Sequence, residues 1–121
     1  MTNEALSELL GKENLVRGYV YPYEGYRREY WFENLPSNIA NFIMQHEDAR
    51  EIILTDVLDR KILNTFGNFI DRCPDQELLP QILEHLISMQ MGEKEPQEFP
   101  VATGVEMEAW YEVQNEMGLS M

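Results

Sequence analysis

Two short clusters carry the residue types that hold metals, His46-Glu47-Asp48 and Glu84-His85. Imidazole and carboxylate together suit zinc or iron, so one reading is a small metal-binding regulator or enzyme using His46, His85, Asp48 and Glu84. Neither cluster has the spacing of a metal motif, such as two histidines one helical turn apart. His46 also falls on the apolar stripe of Ile39, Phe42 and Ile43, where a hydrogen-bonded core histidine is the ordinary occupant. Cys73 precedes Pro74 at a helix entrance, and unpaired amides there would lower a thiol's pKa. With no histidine beside it in sequence, burial as a small apolar side chain is the simpler reading. Asp56 and Asp59 could pair for acid–base work, but they sit at a turn, where aspartate is favoured for its local backbone bonds. No glycine-rich phosphate loop is present. The expectation is a protein that performs no chemistry and takes neither metal nor cofactor.

Residues 15–33, LVRGYVYPYEGYRREYWFE, alternate with a period of two and are dense in aromatic and β-branched residues, which predicts a β-hairpin turning at Glu24-Gly25 or through a four-residue loop around it. If Tyr23 pairs with Tyr26, then Arg17, Tyr19, Tyr21, Tyr23, Tyr26, Arg28, Tyr30 and Phe32 share one face. Five of the six tyrosines would then lie together. Arg17, Arg27 and Arg28 meet Glu24, Glu29 and Glu33 in this segment, so it lacks the basic groove that nucleic acid needs. Packing on the helices, a protein interface and a stacking platform for bases or sugars are the readings, the interface because tyrosine and arginine are enriched there.

The chain closes on VEMEAWYEVQNEM, residues 105–117, with four glutamates and no lysine or arginine. On an α-helix Glu108, Glu112 and Glu116 form a ridge of charges roughly 6 Å apart. Val105, Ala109, Trp110, Val113 and Met117 are expected to dock on the domain. Like charges at this spacing destabilise an isolated helix by about 0.2–0.5 kcal/mol per pair. Burying one large aromatic outweighs that several times over. The ridge is tolerable, then, but nothing local explains it. A solvated face and a strip that meets a basic surface are the two readings. The spacing is comparable with the phosphate repeat of a nucleic-acid strand, so a phosphate-mimicking inhibitor is conceivable. Small acidic proteins of phages and mobile elements that block restriction or CRISPR nucleases act in this general way, and the likeness is one of size and charge. Glu108, Glu112, Glu116, Tyr19, Tyr21 and Arg28 are the candidate partner-binding residues.

Charge over the whole chain points the same way. Nine basic residues against 22 acidic ones give −13. Residues 1–61 hold 11 acidic and 7 basic groups, whereas residues 62–121 hold 11 and 2. Such a field repels nucleic acid and anionic membranes and favours a protein with a basic surface, while plain solubility is the other reading of the same charge. A homodimer closed by the tyrosine face or the terminal arm is a further reading. The single cysteine excludes an internal disulfide and suits a reducing compartment. The first 15 residues lack a basic start and an apolar run, and no stretch approaches the ~20 apolar residues of a membrane span. A soluble, cytoplasmic protein is expected.

The elements that must position these residues are legible in outline. Asn3, the Ala5/Leu6/Leu9/Leu10 stripe and Gly11 predict a first helix. Asn34 or Ser37 caps the next. Residues 51–70 fit either a helix through Leu58, Ile62, Phe66 and Ile70 or a hairpin pairing 51–56 with 61–66; the hairpin is favoured, because one isolated hairpin is marginal. Pro80 is tolerated only in a first turn, which starts the following helix near Leu78. Residues 91–104 read as a proline-containing arm, and Thr103 and Glu106 have capping-box spacing for a last helix ended by Gly118. The predicted fold is α+β: one or two antiparallel hairpins form a small sheet with helices on one face. The core would span 1–90, the arm 91–104 and the C-terminal helix 105–118, all within one domain.

Overall fold

The computed structural model describes residues 3–23, 25–67 and 69–119, and for residues 3, 5, 111 and 113–119 it describes the backbone alone. The elements run α1 (Asn3–Leu10), β1 (Leu15–Tyr21), β2 (Arg28–Glu33), α2 (Pro36–Gln45), β3 (Glu51–Asp56), β4 (Lys61–Phe66), β5 (Phe69–Arg72), α3 (Leu78–Gln90), β6 (Val101–Thr103) and α4 (Gly104–Leu119). The strands form one six-stranded sheet in the order β5-β4-β3-β1-β2-β6, and every neighbouring pair is antiparallel.

The α+β class and the C-terminal helix are as the sequence predicts, and residues 51–66 form the favoured hairpin, with Glu51 opposite Phe66. The sheet is larger than two hairpins. A short β5 folds back on β4 after Gly67, whose φ of 57° is a left-handed conformation that glycine adopts without strain. The predicted arm also contributes β6, which pairs with β2 from Tyr30–Thr103 to Phe32–Val101.

Val16, Val20, Phe32, Ile52, Leu54 and Leu63 point to one face of the sheet, where α2 supplies Ile39 and Phe42 and α3 supplies Ile82, Leu86 and Met89. This main core is dense enough that β1 carries glycine at its centre. A side-chain carbon on Gly18 would stand 3.1 Å from the Phe42 ring and 3.2 Å from a Leu54 methyl. Helix α2 starts from Leu35, which makes no side-chain cap, and Pro36 supplies the preset first turn; neither Asn34 nor Ser37 caps it. Helix α3 starts at Leu78 with Pro80 in its first turn, as expected. The 91–100 segment is strapped down: the Gln97 amide donates to Asn41 Oδ1 at 2.9 Å, and Phe99 meets Phe32 edge-on.

Helices are not confined to one face. Leu6 and Leu9 of α1 and Met107 of α4 form a second core with Leu15, Trp31 and Ala102 on the other side. Pleating explains this, because Leu15 and Trp31 alternate with the main-core residues Val16 and Phe32.

Strand register departs from the expected pairing by one residue. Tyr19 lies opposite Glu29, Arg17 opposite Trp31 and Val16 opposite Phe32. A slip of one turns a whole strand over. Arg28, Tyr30 and Phe32 therefore face the main core, while Arg17, Tyr19 and Tyr21 face the other side, and no single tyrosine face exists. Burial fits this register: Phe32 is fully buried against Phe42 at 4.8 Å, whereas the turned-over strand would bring Glu29 and Glu33 along with Trp31 to the main core.

Candidate interaction surface

Helix α4 is set by its first turn. Glu106 Oε2 accepts from the Thr103 amide at 2.9 Å, and Thr103 Oγ1 accepts from the Glu106 amide at 3.3 Å. This is the capping box that the spacing predicts. Met107 is buried and Trp110 packs beside it in the second core. With 107 and 110 turned inward, positions 105, 108, 109 and 112 share the outward face. Val105, Glu108, Ala109 and Glu112 are all exposed. The expected docking of Val105 and Ala109 is thus wrong. Apolar residues sit on several sides of this helix, and the inward side is chosen by where Leu15, Trp31 and Ala102 leave room. The backbone of residues 113–117 continues the helix through Gly118, while the side chains of Val113, Glu116 and Met117 lie outside the described residues.

Glu108 also lines a cleft of about 520 Å³ between β2 and the start of α4, with Tyr26, Arg28, Tyr30 and Val105. Arg28 lies 5.5 Å from the centre of the Tyr26 ring, and hydrogen bonds to the Tyr26 and Tyr30 hydroxyls raise its pKa. Arg28 and Glu108 are therefore brought together. Tyr19 and Tyr21 are not part of that cleft. The Arg27 guanidinium covers the Tyr19 ring at 4.8 Å, and Tyr21 lines a smaller recess with Tyr23, Glu51 and Phe66. Tyr23 and Tyr26 stack at 5.3 Å across the β1–β2 turn.

The chemistry-bearing residues are engaged in structure. The His46 ring packs 4.6 Å from Phe42 and 5.1 Å from Tyr30. Burial, then the nearby Arg28 charge, lowers its pKa. His85 lies on α3, its Nδ1 3.4 Å from Lys94 Nζ. Among the described residues no group of three or more His, Cys, Asp or Glu is placed to hold a metal ion. Burial and then the Asp75 carboxylate push the Cys73 thiol up, the opposite of an activated nucleophile. Asp56 Oδ1 accepts from the Leu58 and Arg60 amides at 2.9 Å each, which closes the β3–β4 turn.

One surface escaped the sequence reading. Among the described residues, the buried sheet members of the second core are Leu15, Trp31 and Ala102. Pleating puts Glu51, Ile53 and Thr55 of β3, Asn64 and Phe66 of β4, and Phe69 and Arg72 of β5 on the same side. Phe66 is 47% and Phe69 77% exposed. The only sequence signal was the Gly67-Asn68 turn between two phenylalanines, too short to show a strand by periodicity.

Comparison with protein-family models, with curated proteins and with solved structures finds no match for this chain. Among the described residues no helix is long and apolar enough to cross a membrane.

Proposed function

We propose that this chain is a non-enzymatic, cytoplasmic interaction protein whose acidic surface on α4 meets a basic macromolecular partner. One observation carries the reading. Glu108 and Glu112 are both exposed, one turn apart, on a helix without lysine or arginine whose opposite side is anchored by Met107. Anchoring matters because a fixed row of charges loses little freedom on binding, whereas a mobile tail must be ordered first. The uneven distribution of the −13 charge adds a long-range field that speeds encounter with a cationic surface.

The partner class is a protein that handles DNA or RNA. Its phosphate-binding surface accepts carboxylates spaced like phosphates, and the chain acts on it as an accessory or inhibitor, the role such proteins have in phages and mobile elements. Direct contact with nucleic acid is disfavoured by the same field. The test is capture from an extract of the native cell on immobilised protein, followed by a challenge with mixed-sequence double-stranded DNA. Release of the captured protein by DNA supports phosphate mimicry. Retention in DNA with release by salt would remove the mimic reading.

A further inference from the structure

The outward face of α4 and the uncovered half of the sheet are complementary in composition. Along α4, Val105 and Ala109 alternate with Glu108 and Glu112, and all four are exposed. The uncovered half carries Phe66 and Phe69 with Lys61 and Arg72 beside them. Lys61 Nζ lies 3.5 Å from Asn64 Oδ1, and Arg72 stands opposite Asn64 in register, which puts both cations on this face. Neither has a carboxylate within ion-pair distance among the described residues. Glu51 lies on the same face opposite Phe66, so the two exposed cations outnumber it there, against the net charge of −13 of the chain.

On this side of the sheet the second core is built up by α1 and α4 on one half and has no member on β3, β4 or β5, where Phe66 and Phe69 stand exposed while Asn64 is buried. Two copies related by a twofold axis can set the helical half of each on the exposed phenylalanines of the other. Each contact is then made twice, as an isologous interface requires. We infer that the β4–β5 face carrying Phe66 and Phe69 is covered by the α1–α4 layer of a second copy of this chain. Val105 and Ala109 of one copy meet Phe66 and Phe69 of the other, and Glu108 and Glu112 meet Lys61 and Arg72.

A standard interface takes about 800 Å² per partner, about a tenth of the 8171 Å² surface. Net repulsion between two acidic copies opposes the dimer, and salt screens that repulsion and the contact pairs together. Salt dependence therefore does not discriminate, whereas charge exchange does.

This inference rests on α4 as the binding surface and gives it the Lys61–Arg72 patch of a second copy, which competes with a foreign partner for Glu108 and Glu112. Its test is sedimentation velocity at about 150 mM salt, where charges more than ~8 Å apart are largely screened. Four samples are compared: wild type, Glu108→Lys/Glu112→Lys, Lys61→Glu/Arg72→Glu, and an equimolar mixture of the two variants. The expected result is a wild-type dimer, loss of the dimer in each variant alone, and its return in the mixture, where both contacts pair opposite charges again. All four positions are exposed, and circular dichroism checks that each variant folds. Phe69→Ser, which changes no charge, is expected to weaken the dimer at least tenfold. A wild type that stays monomeric, or a mixture that does, overturns the inference. Capture of a foreign protein that DNA displaces would survive either result, so the two readings fail separately.

Discussion

Thr103 and Glu106 satisfy each other's backbone amides, at 3.3 and 2.9 Å, at the point where β6 becomes α4. That reciprocal pair fixes the angle at which the acidic helix leaves the sheet. Thr103→Ala removes one acceptor from an otherwise unsatisfied amide. The expected loss is about 1 kcal/mol, read as a lower urea midpoint at unchanged slope. An unchanged midpoint would mean that α4 is held by Met107 and Trp110 alone.

Gly18 is held to glycine by the Phe42 ring and the Leu54 methyl. Gly18→Val forces both to move in a core without spare room. A loss of about 2 kcal/mol or more is expected in chemical unfolding. An equally stable variant would show that α2 does not press on β1 as described.

His46 gives stability a pH dependence of definite sign. Its folded pKa lies below the ordinary 6.5, through burial first and the Arg28 charge second. The unfolded chain therefore binds a proton that the folded chain resists. The contribution is present above the unfolded pKa and is lost as pH falls through it. Urea midpoints measured from pH 7.5 down to 5.5 should fall for wild type and fall less for His46→Gln. Parallel curves would contradict the burial of a neutral imidazole between Phe42 and Tyr30.

Arg17 lies beside the second core, against Trp31. Its guanidinium stacks 4.3 Å over Trp31, and its Nε lies 3.3 Å from a Glu29 oxygen. Lysine keeps the charge but not the plane. Arg17→Lys is expected to lose about 0.5–1 kcal/mol, discounted for partial exposure, and to make tryptophan fluorescence easier to quench with iodide. Unchanged quenching would show that Trp31 is shielded without it.

Features governed by neighbours in sequence were legible. The Thr103–Glu106 spacing, Pro80 in a first turn and the Asp56 turn each involve a few adjacent residues, and each is found as read. Features governed by distant packing were not. The register of β1 on β2 hangs on whether Phe32 or its neighbour is buried by Phe42, a residue of the next helix. Val105 and Ala109 are expected to dock and Met107 is not singled out, because α4 has apolar residues on several sides. Only the place left by Leu15, Trp31 and Ala102 selects between them. At the candidate site, the glutamates were visible as a pattern. The cleft that joins Glu108 to Arg28, and the bare sheet beside Phe69, depend on β6 and β5, strands of three and four residues that periodicity cannot resolve.

The direct test of α4 as a binding surface is a salt-gradient elution of captured partner from wild type and from Glu108→Lys/Glu112→Lys/Glu116→Lys, immobilised at equal density. The account predicts that wild type holds its partner at low salt and releases it as salt rises, and that the variant retains none at any salt. Equal retention by the two proteins would contradict it.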